Sequence, residues 1–291
     1  MQLKLSIITI NLNNKDGLIN TAESVIAQTW TNYEWIIIDG GSTDGSVEII
    51  KEHLAKTEKI TYWCSEKDGG VYPAMNKGIE KASGEYCWFL NSGDYVCKNT
   101  TLEEIFAKKF DEDIVFGDII STDKKTYKII KSNKRNVRSP VSWINFPAIP
   151  HQASFIKKKL FTELGGYRTD FKLASDVEFP MKAIFNHGAT TKYINTVFAF
   201  YDRVGLSSLN NEKTKKTKAW EYGRMMIDVF PNSYMKIYAK YFSQRIIKGL
   251  LRTVLLLPFL TEKFLMRLKY LGVKTTLLHY KHKLSGKVRK K

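Results

Sequence analysis

Two hydrophobic periods alternate over residues 1–120, and this alternation narrows the folds open to the chain. Short runs rich in Ile, Tyr, Trp and Phe recur at 5–10, 34–38, 60–64, 86–90 and 114–116. Stretches with helical spacing lie between them, at 17–28, 45–55, 71–82 and 102–110. Strands alternating with helices of this length need crossover connections, so the expected fold is α/β with a mostly parallel sheet. Thr100, followed by Glu103 and Glu104, is placed to cap the last of these helices, where acids suit the positive end of the dipole.

From about Asp118 the pattern loosens. Residues 126–131 read as a strand, 138–150 as irregular chain with three prolines, 152–156 as a strand, and 157–164 as a helix ended by Gly165-Gly166. A helix at 174–187, a strand at 192–201 and helical chain after Gly205 complete the reading. The expected organisation is two halves of one α/β body, 1–117 and 118–208, then a basic amphipathic helical extension, 209–291.

Composition sets several classes aside. A hydrophobic fraction of 43% with 26% charged residues is that of a globular protein. Cys64, Cys87 and Cys97 form no CxxC pair and no metal-ligand spacing with the five histidines, which points to free structural thiols in a reducing compartment. The apolar run at 5–10 is too short for a secretory signal, and no stretch approaches ~18 uninterrupted apolar residues, so a cytoplasmic location is expected. Neither GxGxxG nor GxxxxGK[ST] occurs, which argues against dinucleotide and P-loop chemistry.

In an open parallel sheet, ligands bind outside the carboxyl ends of the strands, where the loops converge. Asp39, Asp68, Asp94 and Asp118 each follow a strand-like run and would share that rim. Any one of them alone reads as a turn or cap residue. Together with the loop Asp39-Gly40-Gly41-Ser42-Thr43-Asp44-Gly45, which lets a ligand approach the backbone closely, they suggest a site.

The segments LSIITINLNN, WIIIDGGSTDGS, EKDGGVYPAMNKGIEKASGEY, FLNSGDYV and ASDVEF, in that order, resemble the family 2 glycosyltransferases of GT-A fold over about residues 3–207. The closest likeness is to the branch of bacterial capsule, O-antigen and exopolysaccharide clusters. The resemblance implies a Rossmann-like central sheet flanked by helices, and a nucleotide-sugar donor held by Thr9, Asn11, Asp39, Asp68, Asn76, Asn91 and a closing loop with Gly205 and Ser207. Asp39 would accept the imide hydrogen bond of uracil, a donor that cytosine lacks, which favours a UDP-sugar. Asp94 matches the last acid of the family's metal motif and would hold Mn²⁺ or Mg²⁺ against the pyrophosphate, a hard cation that takes oxygen ligands. The chain has Gly93-Asp94 where many relatives have Asp-Asp, and Gly40 where many have a second Asp, so Asn91 stands as a neutral partner in gripping the ribose.

Inverting transfer needs a base near the acceptor hydroxyl, opposite the leaving diphosphate. The resemblance gives that part to Asp176 in Ala174-Ser175-Asp176-Val177-Glu178; an acid there also stabilises its own helix, and Glu178 is the alternative. His151, before the 152–156 strand, is a weaker candidate for the acceptor site or the metal.

Charge is concentrated at one end. Residues 232–291 hold fifteen Lys and Arg against the single acid Glu262, which is +14 of the total +17. Within 240–257, Arg245, Lys248 and Arg252 recur on one helical face and Phe242, Ile246, Leu250, Val254 and Leu257 on another. Such a segment packs on the body or lies in the plane of an anionic inner membrane, as suits an enzyme with a lipid-linked glycan acceptor. Few aromatics are placed for base stacking, which argues against nucleic acid. The expected function is an inverting, metal-dependent glycosyltransferase, peripheral at the cytoplasmic face. A non-catalytic nucleotide-sugar-binding partner is the alternative, and a sugar nucleotidyltransferase would need a Gly-rich loop with Arg that residues 10–16 lack.

Overall fold

The alternation of periods becomes nine strands and seven α-helices among the described residues of a computed structural model. The structure describes residues 3–122, 126–132, 137–143, 149–202, 211–233 and 237. Strands β1 (Leu5–Asn11), β2 (Tyr33–Asp39), β3 (Ile60–Ser65) and β4 (Tyr86–Phe89) pair in parallel in the order β3-β2-β1-β4. The sheet continues with β5 (Tyr95–Val96), β6 (Ile114–Thr122), β7 (Tyr127–Ile130), β8 (Ser154–Lys157) and β9 (Thr191–Asp202). β8 runs antiparallel between β4 and β6, β9 is parallel to β6, and β5 and β7 add antiparallel to β9 and β6.

Both faces of the sheet are buried where the crossovers pass. One face sets Leu5, Ile7, Trp35, Ile37 and Trp88 against helices α1 (Lys15–Ile26), α2 (Ser46–Leu54) and α4 (Thr101–Phe106). On the other, Ile8 lies against Gly78 of α3 (Val71–Lys81), where a Cβ would come within 2.4 Å of Ile8 Cγ2. There Phe89 also meets Phe161 of α5 (Lys158–Leu164), and Phe161 stacks on Phe179 of α6 (Ser175–Asn186) at 4.3 Å. Each such side chain, fully buried, contributes roughly 1.5–3 kcal/mol. The buried indoles keep their hydrogen bonds, Trp35 to the Thr9 hydroxyl at 2.9 Å and Trp88 to the Gln152 carbonyl at 2.9 Å.

Among the described residues the expected helices and strands are present; β5 adds a short strand outside the expected runs, and there are four further departures. The strand expected to end at Phe116 runs on to Thr122, because Gly117 has no side chain and the Phe198 ring occupies that space; a Cβ there would lie 2.3 Å from the ring. Asp118 is therefore within a strand and not on the rim. Its carboxylate is consumed by Lys131 Nζ (2.8 Å), the Ser132 amide (2.7 Å) and the Tyr193 hydroxyl (3.1 Å). Residues 151–153 are a 3-10 turn, and only then does β8 begin. The helix after Thr100 stops at Phe106, which stacks on Trp30, and Phe110 turns back onto Tyr86. Thr100 stands at the helix start, but its hydroxyl bonds the Glu104 side chain and not the backbone. Gly165 ends α5 in the left-handed conformation, as expected.

The three cysteines are free, and burial pushes the Cys87 thiol up to about 12. β6 spans the boundary expected at 117, so the sheet joins the two expected halves. The chain divides into compact units at 217/218, within helix α7 (Glu212–Val229). Among the described residues no helix is long and apolar enough to cross a membrane. Gly205, Ser207 and the basic stretch 240–291 lie outside the described residues.

Candidate active site

The order β3-β2-β1-β4 puts the chain's change of direction between β1 and β4, and loops part there at the strands' carboxyl ends. Asn11 ends β1 in register with Asp39 at the end of β2. Asp39 is buried, and its carboxylate accepts from Asn11 Nδ2 (2.7 Å), the amides of Gly41 (3.1 Å) and Ser42 (2.8 Å), Ser42 Oγ (2.5 Å) and Ser65 Oγ (2.6 Å). Burial opposes its charge, but the bonds from Ser42, Ser65 and Asn11 outweigh burial and hold it below the ordinary carboxylate range. The same bonds shape the glycine loop, in which Gly41 takes φ +84°.

Asp68 folds over this loop. Its Oδ1 accepts the Gly70 amide at 2.9 Å, and its Oδ2 lies where a side chain on Gly40 would come within 3.0 Å. Leu12, also beside Gly40, is 60% exposed, an apolar surface at the mouth that sequence reading passed over. Thr9 is in the core beneath, bonded to the Leu90 carbonyl and the Trp35 indole. Asn76 spends its amide on the backbone of Tyr167, donating to the carbonyl at 2.7 Å and accepting from the N–H at 2.8 Å.

The second cluster hangs from the turn after β4. The Asp94 amide closes onto the Asn91 carbonyl at 2.9 Å, with Gly93 at φ +101° between them. Thr21 of α1 clamps this turn, its hydroxyl donating to the Asp94 carbonyl at 2.7 Å and accepting from the Gly93 amide at 3.1 Å. Asp94 is thereby held inward, where Oδ1 accepts the Asp202 amide at the end of β9 at 3.1 Å. Burial pushes its carboxyl up to about 7, although the charge of His151, the Asp202 amide and the Gln152 side chain pull the other way.

His151 and Asp176 belong to the same cluster. His151 Nδ1 is 2.8 Å from Asp176 Oδ2, and the Tyr72 hydroxyl donates to Asp176 Oδ1 at 2.8 Å. His151 Nε2 faces Asn91 Nδ2 at 3.4 Å. Burial works against charge on both, yet their bond and mutual attraction lower Asp176 and raise His151. Glu178, the alternative base, is buried two residues beyond Asp176 in the first turn of α6. The Oδ1 atoms of Asn11 and Asn91 are buried without a hydrogen-bond partner, and buried acceptors of that kind mark places for a ligand's donors or a cation. Tyr72 was not found from sequence, because its partner lies 104 residues away and a tyrosine in a first helical turn carries no signal.

Comparison with known proteins bears on the family and the fold. The family model described as Glycosyl transferase family 2 matches residues 6–175. An uncharacterized glycosyltransferase of Mycobacterium tuberculosis is 36% identical over 213 residues, 70% of this chain and 77% of the relative. A PGL/p-HBAD biosynthesis glycosyltransferase of Mycobacterium bovis is 29% identical over 209 residues, 69% of this chain and 77% of its own. Among solved structures, Staphylococcus aureus TarS 1–349 in complex with UDP-GlcNAc has a TM-score of 0.64 at 16% identity, covering 84% of this chain and 72% of that one. The mannosyltransferase PcManGT from Pyrobaculum calidifontis, in complex with GDP-Man and Mn²⁺, has a TM-score of 0.63 at 14% identity, covering 99% and 80%. The architecture is that of the GT-A fold, and the chain belongs to glycosyltransferase family 2.

Proposed function

We propose that this glycosyltransferase moves a sugar with inversion from a UDP-sugar to a lipid-linked or growing bacterial surface glycan, with a divalent cation at Asp94. The observation that carries the reading is that the Asp39 and Asp94–His151–Asp176–Tyr72 clusters both stand at the carboxyl ends of the sheet.

In this reading the nucleobase packs on Leu12 between Asn11 and Asp68, with Asp39 holding the loop beneath it. Thr9 and Asn76 support the site from below. Gly205 and Ser207 close over the phosphates.

Asp176 takes the proton of the acceptor hydroxyl as its oxygen bonds the anomeric carbon. The bond from that carbon to the diphosphate oxygen breaks, and the nucleoside diphosphate leaves with the electron pair. Tyr72 and His151 fix the carboxylate for this step and leave it charged.

The residues present fit a cation. Asp94 and the partnerless Oδ1 of Asn91 are hard oxygen donors and would hold such an ion, with diphosphate oxygens as its further ligands. When bound, Mn²⁺ or Mg²⁺ supplies charge neutralisation for the leaving diphosphate.

The basic extension, 209–291, would bring the enzyme to the anionic cytoplasmic face of the inner membrane and so to a lipid-linked acceptor.

Titration calorimetry of UDP and GDP, each with and without Mn²⁺, tests the donor site. Manganese-dependent UDP binding that is lost in Asp94→Ala supports it. If neither nucleotide binds at millimolar concentration, or binding ignores both the ion and the substitution, the reading fails.

A further inference from the structure

The sheet carries a second surface next to the reacting centre. Across β5, β9, β6 and β7 the register aligns Tyr95 with Phe200, Phe200 with Ile120, and Ile120 with Ile129. Register partners share a face, and so does every second residue of a strand, which adds Tyr127 and Asp202. The opposite face of the same strands is core, formed by Val96, Ala199 and Ile119.

On the near face the rings stay accessible. Tyr127 is 65% and Ile129 53% exposed, and Tyr95 and Phe200 are half-buried. The rings are also ordered with respect to one another. Tyr95 and Phe200 stack with centroids 4.6 Å apart and planes 16° from parallel, and Tyr127 stands edge-on to Phe200 at 6.1 Å.

This shelf is continuous with the site. Tyr95 is the next residue after Asp94, and Asp202, two residues beyond Phe200, bonds Asp94 through its amide.

The geometry points to an acceptor subsite: the shelf formed by Tyr95, Phe200 and Tyr127 binds a pyranose ring of the acceptor glycan. The inference rests on the proposed transferase function. A pyranose offers an apolar face of C–H groups and a rim of hydroxyls. The exposed ring of Tyr127, edge-on to Phe200 and in register through Thr122 with Asp202, offers an aromatic face beside a carboxylate and so meets both. The shelf begins one residue from the Asp94 cluster. An acyl chain has no hydroxyls for Asp202 to meet, and a charged membrane surface would be drawn to cations, not to a carboxylate.

The test is saturation-transfer NMR on the full chain with UDP and Mn²⁺ present, using the methyl pyranosides of glucose, galactose, mannose and N-acetylglucosamine as probes. At least one probe is expected to receive saturation on its ring C–H face. In Tyr127→Ala that signal falls roughly five-fold, as the loss of about 1 kcal/mol of ring contact implies, while Tyr127→Phe retains it. Tyr127 is exposed, so its truncation does not threaten folding. No saturation of any probe, equal saturation in Tyr127→Ala, or displacement of the probe by excess UDP each overturns the subsite. UDP titration of the wild-type chain is read separately: its failure removes the donor site, whereas UDP binding without probe saturation removes only the shelf.

Discussion

The hydroxyl of Tyr72, in the first turn of α3, donates a 2.8 Å hydrogen bond to Asp176 Oδ1 in the first turn of α6, while His151 holds Oδ2. Two of the carboxylate's contacts thus come from separate crossovers, and its orientation is set by the fold. A base held this way loses rate when a support is removed, even though it keeps its charge. Tyr72→Phe is expected to lower kcat by about ten-fold with little change in the donor KM, because the bond acts on the proton-accepting group and not on nucleotide binding. Asp176→Asn should abolish transfer while UDP still binds. Steady-state kinetics with saturating acceptor, alongside UDP titration, checks both.

Asp94 shows the opposite balance. Its carboxyl is pushed up to about 7 by burial, against an ordinary value near 4. Between about pH 4 and pH 7 the folded chain keeps a proton that the unfolded chain has released, so stability falls as pH rises through that window and stays low above it. Asp94→Asn removes the buried charge and keeps an oxygen for the Asp202 amide. In EDTA at pH 8 the variant is expected to have the higher Tm, and the difference should shrink toward pH 4. Adding UDP with Mn²⁺ should raise the Tm of the wild type and not of the variant. Thermal melts across pH, with and without the ligands, measure all of this.

Glu34 is a buried carboxylate with a structural part. At the start of β2 it accepts from Ser6 Oγ (2.6 Å), Thr61 Oγ1 (2.8 Å), and the Ser83 amide (2.6 Å) and hydroxyl (2.8 Å). Burial raises its pKa, but these bonds outweigh burial and lower it. A depressed carboxyl contributes stability above the unfolded value and loses it as pH falls through the folded one. Glu34→Gln is therefore expected to cost about 1.5–3 kcal/mol at pH 7 and less below about pH 4. Urea midpoints at the two pH values decide it.

The pattern of what the sequence revealed follows from distance along the chain. Asp39 and Asp94 were legible because each sits a residue or a few beyond an apolar run, and both the strand and its polar exit are local signals. Asp118 was misplaced by the same rule: Gly117 reads as punctuation, but its missing side chain makes room for Phe198, which is distant in sequence. Glu34 looked like an ordinary polar start to a strand, since the donors around it come from β1, β3 and the turn before β4. Tyr95–Phe200 stacking and the Tyr72–Asp176 bond likewise depend on strand and helix neighbours that no local pattern encodes.

Asn76 offers a clean separation of two roles. Its side chain makes paired bonds with the Tyr167 backbone, and Gly166, at φ +71°, has no Cβ that would approach Asn76 Oδ1 to 2.8 Å. The clamp ties α3 to the chain leading into α6, the two helices that carry Tyr72 and Asp176. Asn76→Asp keeps the acceptor for the Tyr167 amide but replaces the donor with an oxygen facing the Tyr167 carbonyl, so one bond becomes a repulsion. If Asn76 works through the clamp, this variant loses about 1–3 kcal/mol of stability and its kcat falls, while UDP affinity stays within about two-fold. If Asn76 instead touches the nucleotide, UDP affinity falls and the urea midpoint barely moves. Measuring the urea midpoint and the UDP Kd on one preparation tells the two apart.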